Sequence, residues 1–160
     1  MYRRLDTDLH SASLLFNLFD DYQELWDDIL AFLHANVRTV AASIDIKPDS
    51  DPNSINLCSN GAIPIALLGS DKFNVYQVAT GTLEFAEAAV KVVGKKDPYT
   101  LCSYEDVNGD FFDDLVCHYL TTDIAGVDGE STEASVTGTL VDTTPFQGTD
   151  NINIVKDSCD

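Results

Sequence analysis

The chain has 160 residues, of which 27 are Asp or Glu and 9 are Lys or Arg, so its formal net charge at pH 7 is −18. A hydrophobic fraction of 44% is typical of a globular protein, and the length suits one domain that buries roughly 70% of its unfolded surface. Nucleic acid and anionic membranes are disfavoured as partners, because no basic stripe is present to meet phosphate groups. A chain this acidic also repels itself, and divalent cations or high salt would relieve that repulsion.

Residues 1–38 are predicted to form an N-terminal unit built on one long amphipathic α-helix. From Ser11, a suitable N-cap, to about Asn36, apolar residues recur with the i, i+3, i+4, i+7 spacing of a helix. Carboxylates recur at every turn, so we expect no membrane span here. The apolar face either packs on its own domain or docks onto a neighbouring subunit, and both hypotheses stay open. The predicted assembly face consists of Phe19, Tyr22, Trp26, Ile29 and Leu33.

Residues 39–160 are predicted to form a β-domain. At Val40 the hydrophobic period changes to 2, and short strands follow with turn signals about every 8–12 residues. This pattern predicts a mainly β fold, an immunoglobulin-like antiparallel β-sandwich behind the long helix. The segment 73–78, FNVYQV, is predicted to be extended, and Pro64 predicts an edge strand or a bulge.

The segment 105–115, EDVNGDFFDDL, is the one stretch whose spacing predicts a specific chemistry. With Asp106 as position 1, oxygen-bearing side chains fall at positions 1, 3, 5 and 9, and position 7 offers its backbone carbonyl. Ca²⁺ takes about six to eight oxygen ligands, which such a loop can supply between the arms of a β-hairpin. The alternative is an acidic turn without metal. The predicted ligands are Asp106, Asn108, Asp110, the carbonyl of Phe112, and Asp114.

Two other acidic segments have the spacing of a second, weaker calcium site, although each pattern is also that of a solvated turn. The first segment contains Asp49, Asp51 and Asn53. The second segment contains Asp123, Asp128 and Glu130.

The four cysteines are an even number without C-x-x-C spacing, which argues against structural zinc. Four cysteines allow three pairings, and the sequence does not choose between them. Cys102 and Cys117 flank the acidic loop on the two predicted arms, so a disulfide between them is one candidate. A Cys58–Cys159 bridge would then complete the set, and four unpaired thiols are the alternative. Disulfides would place the protein in an oxidising, extracellular environment.

Four motifs in order resemble a β-module found in many secreted bacterial and archaeal proteins. They are the opening SIDIKPDSDPNSIN, the strand AIPIALLG, the loop EDVNGDFFDDLV and the closing hairpin TGTLVDTTPFQGTDNINIV, which together cover about residues 42–156. The loop is also similar to the calcium loops of FG-GAP hairpins in integrin-type propellers. Asp49, Phe111 and Thr144 stand where the module has glycine. The resemblance implies export, calcium binding and a non-catalytic role.

No catalytic motif stands out in the chain, and an enzyme is not expected. The first functional hypothesis is an extracellular structural or adhesive subunit that binds calcium and assembles with copies of itself. The second hypothesis is a monomeric carbohydrate- or cell-wall-binding module that accompanies a secreted enzyme.

Overall fold

A computed structural model of the protein describes residues 38–156, 158 and 159, and these form a mainly β fold. The predicted helix at 11–36 and its assembly face lie outside the described residues. Within the described part the only helices are three short 3₁₀ turns, at Val75–Gln77, Thr80–Thr82 and Thr121–Asp123. The strands are β1 (Val40–Ala41), β2 (Ser43–Ile46), β3 (Ser54–Asn56), β4 (Ala62–Leu68), β5 (Glu84–Phe85), β6 (Ala88–Ala89), β7 (Val92–Val93), β8 (Tyr99–Thr100), β9 (Cys102–Glu105), β10 (Asp114–Leu120), β11 (Glu133–Thr139), β12 (Pro145–Asn151) and β13 (Asn153–Lys156).

Two larger sheets contribute to one hydrophobic core, which agrees with the predicted β-sandwich. One sheet has the order β1-β12-β11-β5-β6 and the other has the order β2-β4-β10-β9. Phe85 and Phe146 of the first sheet and Ile65 and Tyr119 of the second are buried in the same cluster. Most neighbours are antiparallel, but β1 pairs parallel with β12 and β13 pairs parallel with β3. The sheets are therefore not wholly antiparallel. In both parallel pairs a strand from late in the chain lies beside one from early in the chain, and parallel neighbours cannot be joined by a hairpin turn.

Pro64 lies in β4, which runs between β2 and β10 and pairs with each without a register shift, so the expectation of an edge strand or a bulge is wrong. Its carbonyl oxygen accepts a hydrogen bond from Lys47 N at 2.9 Å. A residue of an antiparallel strand directs its N–H and its C=O to the same neighbour. An N–H group at Pro64 would therefore point towards the β2 side, where β2 has already ended at Ile46. Its absence in proline costs no ladder hydrogen bond.

The segment 73–78 is not a strand, because Asn74 turns it into a 3₁₀ helix at Val75–Gln77. The Oδ1 atom of Asn74 accepts from Tyr76 N at 3.0 Å, a local bond that competes with strand pairing. Phe73 and Val75 are buried on either side of this cap, and the Tyr76 side chain is left exposed.

Both predicted disulfides are present. Cys102 and Cys117 face each other in the β9–β10 register, with their Cα atoms 4.2 Å apart. Cys58 and Cys159 are joined across 101 residues of sequence, with a Cα–Cα distance of 5.3 Å. A bridge that closes a loop of about 100 residues stabilises the fold by about 4.7 kcal/mol in the chain-entropy account.

Six described non-glycine residues have a positive φ angle, and four of them, Lys47, Asp49, Phe111 and Thr143, lie in the four motifs picked out in the sequence. Asp49 and Phe111 both have φ of 71°. Thr143 has φ of 70°.

Candidate metal centre

The acidic loop joins two adjacent antiparallel strands, as the sequence predicts. Asp114 at the start of β10 pairs with Glu105 at the end of β9, and the Cys102–Cys117 bridge links the same two strands. Residues 106–113 therefore protrude from a disulfide-linked hairpin, and their ends are held in place by the β-sheet.

The Asp106 carboxylate organises the turn. Its Oδ1 accepts from Gly109 N at 2.7 Å and from Asp110 N at 3.2 Å, and its Oδ2 accepts from Phe111 N at 3.0 Å. Three consecutive N–H groups can reach one carboxylate because Gly109 and Phe111 both adopt positive φ angles, of 76° and 71°. Asp106 is thus fixed at the centre of the loop.

Asn108 and Asp110 form a second set of contacts within the loop. Asn108 Oδ1 accepts from Asp110 N at 2.9 Å, and Asn108 Nδ2 donates to Asp110 Oδ2 at 3.0 Å. Asp110 Oδ1 in turn accepts from Phe112 N at 2.9 Å. The side chains at positions 1, 3 and 5 therefore all fold back on the loop's own backbone or on one another.

Asp114 differs from the other predicted ligands because it is fully buried. Its Oδ1 accepts from Gly69 N at 2.8 Å and its Oδ2 accepts from Val107 N at 2.9 Å. A Cβ atom at Gly69 would lie 2.2 Å from the carbonyl oxygen of Asp113, so only glycine permits this approach. Asp114 consequently anchors the loop to the end of β4.

The donor set suits a hard cation by its chemistry, since Asp106, Asn108, Asp110 and Asp114 all present oxygen. A carboxylate oxygen that accepts one N–H keeps a further lone pair for a metal. Within the described residues, however, no three His, Cys, Asp or Glu side chains converge as a metal-holding group.

Phe111 is a source of backbone strain in this loop. It has φ of 71° and its side chain is 96% exposed, so little packing offsets the cost of the left-handed conformation. Replacing Phe111 by glycine is expected to raise the free energy of unfolding by about 0.5–1 kcal/mol, because the relief of about 1–2 kcal/mol of strain exceeds the entropy that glycine adds to the unfolded chain. Urea unfolding of the wild type and of F111G measures the difference. Unchanged or lower stability would show that the positive φ is not strained here.

The first segment of the predicted second metal site lines an acidic cavity. Asp49, Asp51 and Asn53 border a space of about 490 Å³ together with Asp45 and Asp150. Asp150 Oδ2 accepts from Ile46 N and from Asn53 Nδ2, both at 3.0 Å. Partial burial, followed by the charges of Asp150, Asp49 and Asp114, raises the pKa of Asp45. The sequence analysis did not predict Asp45 and Asp150 as lining residues of an acidic site. Asp45 did carry a signal, because it alternates with Ile44 and Ile46 in β2 and its side chain must therefore point away from the core.

The second segment does not contribute to that cavity. Asp123, Asp128 and Glu130 do not line it, and the side-chain bonds of Asp128 stay within its own loop. Backbone and side-chain hydrogen bonds from Glu130 and Ser131 lower the pKa of Asp128. These contacts are those of a turn whose carboxylate satisfies the local backbone.

A further surface that the sequence did not point to lies beside the acidic loop. Tyr76 and Tyr104 stack with ring centroids 4.5 Å apart, and the Tyr76 hydroxyl donates to Asp113 Oδ2. That hydrogen bond is the main cause that raises the pKa of Tyr76.

Comparison of the chain with protein-family models, with curated proteins and with solved structures finds no match. Among the described residues, no helix is both long enough and apolar enough to cross a membrane.

Proposed function

We propose that the protein is an extracellular, calcium-binding structural or adhesive subunit that assembles with copies of itself. The observation that carries the proposal is the loop 106–113. It concentrates oxygen donors at one end of the β-fold, between strands joined by a disulfide. Because these carboxylates lie in one short loop, a divalent cation would both bind them and relieve their mutual repulsion.

The backbone supports the proposed kinship with the secreted module. Asp49 and Phe111 stand where the module has glycine, and aligning TGTLVDTTPF with the module residue by residue puts the third glycine at Thr143, not at Thr144. All three residues have φ near 70°. Glycine is the residue that adopts this conformation without steric cost, so the same turns would suit both sequences. The proposed kinship includes an immunoglobulin-like strand topology, which a structure of a family member would test.

An extracellular location is supported by the cysteines. Both pairs, Cys58–Cys159 and Cys102–Cys117, are oxidised, and no cysteine among the described residues is free. Disulfides of this kind persist in oxidising environments such as the outside of the cell.

Self-assembly is proposed from the N-terminal sequence and from an open sheet edge. The predicted helix at 11–36 has an aromatic-rich apolar face, and such a face must be covered by something. β9 lies at one edge of its sheet, and Ser103, Tyr104 and Glu105 there are exposed. An open edge of this kind can pair with a strand from a neighbour.

The calcium proposal is tested by replacing Asp106 with asparagine, which keeps an oxygen for the loop N–H groups and removes the charge. Extracellular calcium modules have dissociation constants of about 0.1–1 mM, and ligand at a hundredfold excess over that constant stabilises by about 2.7 kcal/mol. Wild type should therefore melt higher in calcium than in chelator, and D106N should lose most of this gain. Asp97, which is exposed and lies in the turn between β7 and β8, provides the matched control, D97N, which should keep the gain. If the wild type has the same melting temperature in calcium and in chelator, the loop is an acidic turn that does not bind calcium.

The second candidate function is a monomeric carbohydrate-binding module, and the exposed tyrosine pair favours it. Size-exclusion chromatography and electron microscopy with and without calcium distinguish the two. Polymers that depend on calcium support the structural subunit, whereas a monomer under both conditions supports the accessory module.

A further inference from the structure

A cavity of about 330 Å³ lies between the acidic loop and the 3₁₀ helix at Val75–Gln77. Its volume is at the lower end of the roughly 300–1,000 Å³ of small-molecule sites. Aromatic rings and hydrogen-bonding side chains share the lining, and no basic side chain contributes to it. The lining residues used below are Ser70, Asp71, Asn74, Tyr76, Phe112 and Asp113.

The Tyr76 ring is held in place although 53% of the side chain is exposed. Tyr104 stacks on it with an interplanar angle of 28°, and Asp113 accepts a hydrogen bond from its hydroxyl group. Tyr104 does not line the cavity, so it supports Tyr76 from elsewhere. An exposed ring that is already ordered loses little further entropy when a ligand stacks on it.

Polar groups around this ring are available to a ligand that carries hydroxyls. Asn74 uses its Oδ1 to cap the 3₁₀ helix, which leaves its Nδ2 group as a donor. Asp71 and Asp113 have exposed carboxylates that accept hydrogen bonds. Phe112, whose N–H is tied to Asp110 in the acidic loop, adds a second half-exposed ring.

We propose that this cavity binds a neutral polysaccharide. One face of a sugar ring carries C–H hydrogens, which suit the electron-rich face of Tyr76, while its hydroxyls match the surrounding Asn and Asp side chains. An anionic polysaccharide is disfavoured, because the lining has no cation and the whole chain carries −18. The inference rests on the second candidate function, carbohydrate binding, and not on calcium binding or on self-assembly.

A second copy of the chain fits this surface less well. It would bring another strongly negative chain against Asp71 and Asp113, and like charges brought together at an interface cost several kcal/mol. Apolar protein surface would also bury those carboxylates without partners, which is unfavourable. A hydroxyl-bearing ligand satisfies them instead.

Affinity electrophoresis of the full-length protein tests the proposal, in native gels that contain hydroxyethylcellulose, laminarin or mannan, with polygalacturonate as the anionic comparison. We expect retardation in at least one neutral gel and none in polygalacturonate. Tyr76→Ala should weaken binding about tenfold, since an aromatic contact is worth about 0.5–1.5 kcal/mol beyond its buried area. The matched control is Tyr99→Ala, because Tyr99 is 62% exposed and lies outside the cavity. This control should leave the retardation unchanged.

Tyr76→Phe controls for the possibility that Tyr76→Ala loses binding because its structure is disturbed. It keeps the aromatic ring and removes only the hydroxyl contact with Asp113. It should retain more of the retardation than Tyr76→Ala. Absence of retardation of the wild type in all three neutral gels overturns the proposal, as does equal retardation of wild type and Tyr76→Ala. If Tyr76→Ala abolishes self-association without any polysaccharide binding, the surface is a protein contact and the proposal fails. The calcium proposal is tested separately, by the melting of D106N with and without calcium.

Discussion

Replacing Asp114 by alanine is expected to lower the free energy of unfolding by about 3 kcal/mol or more, because it leaves two N–H groups without an acceptor at about 1–3 kcal/mol each where they are buried. The buried carboxylate accepts from Gly69 N at 2.8 Å and from Val107 N at 2.9 Å. These two bonds connect the end of β4 to the start of the acidic loop. Urea unfolding followed by circular dichroism, with calcium removed by chelator, measures the change.

The neighbouring Asp113→Ala is the matched control. Asp113 is exposed and its side chain accepts a hydrogen bond from Tyr76, so its loss should change stability by about 0.5 kcal/mol or less. Gly69→Ala should reproduce the Asp114 defect, because the added Cβ would collide with the Asp113 carbonyl oxygen 2.2 Å away. If Asp114→Ala is no more harmful than Asp113→Ala in chelator, Asp114 is not the anchor of the loop.

The role of Asp114 shows what the local sequence pattern could and could not predict. The hairpin and the Cys102–Cys117 bridge follow from residues close together in sequence, and both are present. The pattern also put Asp114 at position 9 of a calcium loop. Its partner Gly69 lies 45 residues upstream, and only the β4–β10 register brings the two together. Burial of that carboxylate could therefore not be predicted from spacing.

The tyrosine surface escaped prediction for a related reason. Tyr76 and Tyr104 lie in different segments, and no periodicity relates them. The prediction of a strand at 73–78 rested on apolar residues and did not weigh Asn74, whose side chain caps a 3₁₀ turn instead. That turn leaves Tyr76 exposed beside Tyr104. The sheet topology could not be predicted for the same reason. The parallel β1–β12 pair joins segments from opposite ends of the domain sequence, and no local pattern relates them.

Deletion of residues 1–38 is expected to abolish self-association and to leave a soluble, folded monomer. The predicted helix is only marginally stable alone in water, so its apolar face must be covered by its own domain or by a neighbour. The core of the described residues is built from strands of 39–156, and both disulfides lie beyond the deleted segment. Sedimentation velocity should therefore show a monomer, and circular dichroism should show an unchanged content of β-sheet.

Point substitutions in the full-length chain separate assembly from folding. Phe19→Ser combined with Trp26→Ser removes the centre of the predicted assembly face, and it should prevent self-association without lowering the melting temperature of the monomer. The matched control replaces Asp20 and Asp27 on the opposite, polar face with serine, and it should assemble as the wild type does. If the apolar face packs on its own β-domain instead, the same serine substitutions should lower the melting temperature of the monomer, because they would disturb the cover of core surface. Aggregation or unfolding of the truncated chain would therefore overturn the assembly proposal and assign the N-terminal segment to the stability of its own domain.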